Sequence, residues 1–282
     1  MKLVIAATPK VAIPTINELT KSHQITIVTQ PDRPAGRGKQ LRSSQIAQTY
    51  PNALKPKDES ELQKILQGSD LLITIGYGRI LSNTTLQIPK YGGINLHFSL
   101  LPNWRGAAPV QRAIEAGDRI SGVTVFQMDA GMDTGPIFHR SSPIKVGTLT
   151  TGQIWDALAH EAAAEIVGLL ETIYEGAAPI PQEIYAGKLP TAPKISTAEA
   201  RIEWNDPADV IERKIRAYNP TPSAWTYFRG DRFIVHRAVD ILSASDSQKF
   251  PGEWEIKEGE LLVTTGTGQL QLLDRKSTRL NS

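Results

Sequence analysis

The sequence predicts an α/β first domain on a mainly parallel sheet with helices on both faces, followed by a small β-barrel domain. Three observations predict it. In the first half, short apolar or β-branched runs alternate with stretches of helical spacing, the pattern of repeated strand–helix–strand units. A stretch containing Pro179, Pro181, Pro190 and Pro193 then interrupts the periodicity and reads as a linker. Beyond it, short β-rich runs recur with turn signals about every ten residues, which suits a barrel. The expected division is a first domain over 1–178, a linker over 179–206 and a second domain over 207–273.

KLVIAA (Lys2–Ala7) is a short apolar run that reads as a strand. Val11, Ile13, Ile16 and Leu19 repeat at helical spacing, with Pro14 tolerable only in a first turn. QITIVTQ (Gln24–Gln30) is β-branched and strand-like. Glu59–Gln67 reads as a helix, LLITIG (Leu71–Gly76) as a buried strand and GINLHFS (Gly93–Ser99) as another. A helix is expected over Ala107–Ala116, a strand over Val123–Met128 and a long helix from about Thr151 to Glu175. After the linker come a helix over Pro207–Ala217 and strands in AWTYFRG, RFIVHRAV, GEWEIKEGELLVTTG and QLQLL.

The chain has 282 residues, of which 40% are apolar and 21% charged, ordinary for a globular protein. Cysteine is absent, which excludes disulfides, thiolate metal sites and a cysteine nucleophile. No apolar run approaches the ~20 residues of a membrane span, and the N-terminus lacks a signal-peptide layout, so a cytoplasmic protein is expected. Asp274–Ser282, DRKSTRLNS, resembles translated sequencing-adapter read-through. A dispensable, non-native tail is therefore expected there, with the barrel before it incomplete. Without Asp274, Arg275, Lys276 and Arg279, the 31 basic and 29 acidic residues become 28 of each. Overall charge then says nothing about a polyanionic partner, and only local patches count.

The five histidines, His23, His97, His139, His160 and His236, have no ligand spacing, so no metal site is expected. A dinucleotide fingerprint, a Walker loop and a nucleophile elbow are also missing. The informative stretch is GGINLHFSLLPNWRGAAPVQRAIEAGD (Gly92–Asp118). Asn95 and His97 are two apart on a strand, so they share a face about 6.6 Å apart, room for one small reacting group. Both lie near the carboxyl end of their strand, where open parallel sheets bind ligands. The next strand runs into DAGMDTG, and Asp133 lies 36 residues after His97, a plausible crossover length. A strand cap plus a turn aspartate fits these residues as well as a catalytic triad does.

INLHFSLLPNWRGAAPVQRAI followed by SGVTVFQMDAGMDTGPI resembles the folate-dependent formyltransferases. QPDRPAGRGKQL (Gln30–Leu41), AEARIEW (Ala198–Trp204) and RAYNPTPSAW (Arg216–Trp225) are similar to the members that formylate methionyl initiator tRNA, the bacterial initiation enzymes. The resemblance spans about residues 1–273. It implies a Rossmann-like first domain and a second domain related to the OB-fold. It also implies 10-formyltetrahydrofolate as cosubstrate and the tRNA α-amine as acceptor. Carried onto this chain, the catalytic positions are Asn95, His97 and Asp133, and Ser99, Leu100, Leu101 and Pro102 form the folate-side loop. Arg37, Lys39 and Arg42 would reach the acceptor stem. Two departures, Ala7 for a glycine and Val11 for an aromatic residue, bear on how the methionyl end is held.

In the implied reaction a neutral amine attacks the formyl carbon. Asn95 and a protonated His97 would stabilise the oxyanion, Asp133 would either favour and orient the imidazolium or itself accept the amine proton, and His97 would shuttle a proton to the leaving folate nitrogen. No metal is required, and a monomer is expected. Two rivals remain: a formyltransferase for an amino-sugar nucleotide or glycinamide ribonucleotide, and a non-catalytic folate- or RNA-binding protein.

Overall fold

The computed structural model describes residues 1–35, 40–183, 189–241 and 249–277. The chain divides into two compact units. The first comprises Met1–Pro109, Ser121–Ile144 and Trp155–Ala192. The second comprises Val110–Ile120, Lys145–Ile154 and Pro193–Ser282.

The first unit is built on β1 (Lys2–Ala7), β2 (Gln24–Val28), β3 (Leu71–Ile75), β4 (Gly93–His97), β5 (Thr124–Gln127) and β6 (Ile137–Arg140). Their order across the sheet is β6-β5-β4-β3-β1-β2. β2, β1, β3 and β4 run parallel, with Ile5 beside Ile73, Ile73 beside Ile94 and Thr74 beside Asn95. Every residue of β3 is buried, as expected for a strand covered on both faces. α1 (Ile13–Thr20) accommodates Pro14 in its first turn, where no intrahelical N–H is needed. The Asp58 side chain caps α2 (Glu59–Leu66), accepting the Glu61 N–H at 2.9 Å.

β5 departs from the expected parallel crossover. It runs antiparallel to β4, placing Phe126 beside Asn95 and Thr124 beside His97, and β6 then runs antiparallel to β5. Crossover length and apolar alternation record burial, not strand direction. Asp133 therefore arrives on a hairpin loop that folds back over the sheet.

The basic stretch holds a short hairpin, with Arg33 opposite Arg42 and Pro34 opposite Leu41. Arg33 is tied down by a 2.8 Å hydrogen bond to the Gln30 side chain, while Arg42 is exposed. Arg37 and Lys39 lie outside the described residues.

In chain order the other helices of eight or more residues are α3 (Pro109–Ala116), α4 (Thr151–Tyr174) and α5 (Ala208–Ala217). The second unit contains α5 and an antiparallel sheet of β7 (Ala224–Phe228), β8 (Asp231–Ile241), β9 (Trp254–Lys257), β10 (Glu260–Thr264) and β11 (Gln269–Ser277). The sheet order is β7-β8-β11-β10-β9. Ile211 and Ile215 of α5 pack with Val235, Val263, Leu270 and Leu272 from the sheet's inner face. Two tight turns, Arg229-Gly230 and Glu258-Gly259, have positive φ at both residues, the geometry that matches strand twist in two-residue hairpins. Phe228 on one edge strand stacks on Trp254 of the other at 4.2 Å between centroids, so the sheet curls until its edges touch. Asp274–Ser277, expected as a dispensable tail, continue β11 along Phe233–Arg237. Removing them would leave β8 paired over that stretch with β7 alone.

Candidate active site

Asn95 and His97 project from one face of β4, as their spacing predicts. Asn95 is oriented from the neighbouring strand. The Thr74 hydroxyl donates to Asn95 Oδ1 at 2.8 Å, which turns the donating Nδ2 amide away from Thr74. Thr74 Oγ1 also lies 3.2 Å from Met128 Sδ. Thr74 was legible as the one polar residue in LLITI, although nothing in that run gave it a role.

His97 is 5% exposed, and its ring meets Phe126 edge-on at 6.4 Å. Nε2 lies 2.9 Å from the Trp104 carbonyl. A carbonyl only accepts, so Nε2 carries the hydrogen and Nδ1 of the neutral ring is a lone pair. Asp133 Oδ2 stands 3.6 Å from Nδ1, too far for a hydrogen bond. That oxygen instead accepts the Gly106 N–H at 2.8 Å. Burial pushes the His97 pKa below its usual value, with the Asp133 charge and the Trp104 carbonyl opposing the shift more weakly. The imidazolium expected from the sequence is therefore not the resting form at pH 7. The ring starts neutral, as a proton acceptor, and Asn95 is the amide donor beside it.

This has a measurable consequence for stability. Unfolded His97 protonates near 6.5, whereas the folded ring resists protonation. The unfolded chain thus binds more protons as pH falls below about 6.5, and the fold loses stability through that window. Acidifying from pH 7 to 5 is expected to lower the melting temperature of the wild type more than that of His97→Asn. Parallel curves for the two proteins would show that the ring is not depressed.

The loop DAGMDTG is folded by its own side chains. Asp129 accepts from the Gly131 N–H at 3.0 Å and from the Thr134 hydroxyl at 2.8 Å. Asp133 adopts φ +56°, a left-handed conformation that aspartate tolerates. The segment after His97 is equally pinned. The Thr124 hydroxyl donates to the Ser99 carbonyl at 2.7 Å and accepts the Leu101 N–H at 3.0 Å. The Ser99 hydroxyl donates to the Asn103 carbonyl, and Arg140 Nε donates to the Leu101 carbonyl at 2.9 Å. Ser99, Leu101 and Pro102 are buried and Leu100 is half-buried. Three of the four expected folate-side residues thus turn their side chains inward and leave mainly backbone toward solvent. A hollow of about 560 Å³ is lined by Leu86, Lys90, Gly93, Gln127, Met128 and Asp129, and Met128 joins it to Thr74.

Among the described residues no group of His, Asp and Glu is arranged to hold a metal ion. Likewise, no described helix is long and apolar enough to cross a membrane.

The chain matches the family profile described as formyl transferase over residues 1–173. The chain belongs to the formyltransferase family. This formyltransferase also matches the profile of the formyl transferase C-terminal domain over residues 194–278. A curated relative, methionyl-tRNA formyltransferase of Streptomyces avermitilis, is 38% identical over 285 residues, covering 97% of this chain and 91% of the relative. Two solved structures share the fold. Methionyl-tRNA formyltransferase from Clostridium thermocellum has TM-score 0.65 at 16% identity, covering 99% of this chain and 100% of that one. HypX from Aquifex aeolicus in complex with tetrahydrofolic acid has TM-score 0.72 at 17% identity, and the match covers 99% of this formyltransferase but 44% of that chain.

Proposed function

We propose that this formyltransferase moves the formyl group of 10-formyltetrahydrofolate to the α-amine of methionyl initiator tRNA, acting as a cytoplasmic monomer. The observation that carries the chemistry is the pairing of an Asn95 amide fixed by Thr74 with a buried, neutral His97. Near-full-length similarity to a methionyl-tRNA formyltransferase supports the acceptor.

Asn95 Nδ2 donates to the formyl oxygen as the amine nitrogen bonds to the formyl carbon and negative charge gathers on that oxygen. His97 Nδ1 takes the proton that the amine loses. Asp133 stabilises the imidazolium so formed, at a distance that acts through charge. The carbonyl re-forms, the bond between carbon and folate N10 breaks, and His97 returns the proton to N10. Substrate and product balance without a covalent enzyme intermediate. The Ser99–Pro102 backbone and the hollow beside Met128 supply the folate side, within the usual range of ligand cavities.

Arg37, Lys39 and Arg42 are assigned to the acceptor stem, where a planar guanidinium reads phosphates or base edges. Arg37→Ala is expected to lower kcat/KM for methionyl-tRNA about 10-fold, as for loss of one good contact, with folate KM unchanged. The defect should steepen with salt. An equal loss for both substrates would instead mean a damaged fold.

The assay that tests the whole reading follows labelled formyl from the folate to charged tRNA, free methionine and amino-sugar nucleotides. Transfer to charged tRNA alone is expected. Preferential transfer to a sugar nucleotide would replace this acceptor, and no transfer at all would leave a binding protein.

A further inference from the structure

Gln182 lies in the Pro-rich stretch that reads as a linker, yet its side chain is spent on the catalytic loop. Its Nε2 donates to the Asp133 carbonyl at 2.9 Å and to the Gly135 carbonyl at 2.8 Å. Its Oε1 accepts from Arg105 Nε at 3.1 Å and Nη2 at 2.5 Å. Arg105 precedes Gly106, whose N–H holds the Asp133 carboxylate. One amide thus joins the backbone of Asp133 to the segment that grips its side chain.

The surrounding backbone makes this a brace. Ile137 and Ile180 exchange two backbone hydrogen bonds, at 2.7 and 2.8 Å. Thr191 and Ala192 pair in parallel with Arg105 and Gly106. The Trp104 N–H donates to the Pro190 carbonyl at 2.9 Å, and Trp104 in turn accepts from His97. A Cβ at Gly106 would stand 2.5 Å from the Ala192 carbonyl oxygen, so the two segments are in backbone contact.

We propose that Gln182 is a positioning residue for Asp133, fixing the carboxylate against His97 with Arg105 as its anchor. The proposal rests on the formyl-transfer reading for its rate effect, and on geometry alone for its effect on His97. Asp133 needs such fixing. It sits at φ +56° on a loop and meets the ring at 3.6 Å without a hydrogen bond to it. Its influence on His97 is a field, which changes with distance and angle. Among the described residues, Asp133 is the charged group whose field opposes the effect of burial on that ring.

Gln182→Glu is the discriminating variant. A carboxylate keeps Arg105 as an ion pair but cannot donate to either carbonyl. Turnover is expected to fall about 10- to 100-fold with both KM values held within about threefold, the signature of misplaced catalytic geometry. In an Asp133→Ala background the same substitution should add no further loss, because the two act as one unit. The His97 ring, followed by NMR titration and assigned with His97→Asn, should protonate at lower pH than in the wild type in Gln182→Met, which loses both donors and adds no charge whose own field would raise the ring's proton affinity. That measurement needs no substrate, so it still decides the brace if methionyl-tRNA is not the acceptor. If Gln182→Glu fails to fold, Gln182→Met should give the same turnover results. Wild-type turnover together with an unmoved His97 titration would overturn the proposal. So would an undiminished loss in the Asp133→Ala background.

Discussion

Alanine at Asn95, His97 or Asp133 is expected to lower turnover at least about 10²-fold each, the usual effect of removing a positioned transition-state group. The three losses have different origins. Asn95→Ala removes the donor that Thr74 holds in place, and the Thr74 hydroxyl retains the Ile94 carbonyl at 3.3 Å as an acceptor. His97→Ala removes the proton acceptor, and Asp133→Ala removes the charge that steadies the imidazolium. Neither Asn95 nor Asp133 belongs to an apolar cluster, so their variants should melt close to the wild type. Single-turnover rates with saturating folate and tRNA measure the effect, and circular dichroism checks the fold. A well-folded variant with near wild-type turnover would take that residue out of the mechanism.

Gly135→Ala is expected to do comparable damage from a residue with no chemistry of its own. A Cβ there would stand 1.8 Å from the Gln127 carbonyl oxygen and 3.3 Å from Phe126 Cδ2. The obstacle is β5 backbone, so the loop must move. Gly135 also offers its carbonyl to Gln182, and Phe126 packs edge-on against His97. Displacing the loop shifts Asp133, two residues away. Stability should fall by about 1–3 kcal/mol, as for overpacking, read as a lower urea midpoint. Turnover should fall by about 10²-fold, the order expected for a misplacement of about 1 Å. Gly168→Ala is the control. It lies within α4 with nothing inside 4 Å of the added Cβ, and it should stabilise by about 0.5–1 kcal/mol. A Gly135→Ala protein that melts and turns over like the wild type would show that the loop has slack.

The same loop marks how far the candidate site was legible in the sequence. Asn95 and His97 could be placed together because a strand alternates its side chains, and that rule holds wherever the strand sits. Asp133 could be nominated but not delivered. The route to it depended on whether the strand after α3 ran parallel or antiparallel to β4, and an apolar run reads the same in both directions. Gln182 could not be nominated. It stands 49 residues from Asp133 within a proline-rich stretch, and no periodicity marks a side chain whose partners are backbone carbonyls.

By itself the sequence determined the strands other than β6, the helices α1 to α5, the absence of cysteine chemistry and the shared face of Asn95 and His97. All of these follow from local backbone preference and the period of apolar residues. Only the tertiary structure decided the direction of β5, the donor face of Asn95, the neutral state of His97 and the partners of Gln182. Strand direction depends on which chain ends meet. The orientation of Asn95 depends on a threonine 21 residues earlier. The charge on His97 depends on how much water its ring has lost, with burial outweighing the nearby carboxylate. Desolvation and long-range hydrogen bonds are properties of assembled space, and they arise only when segments distant in the chain are packed together.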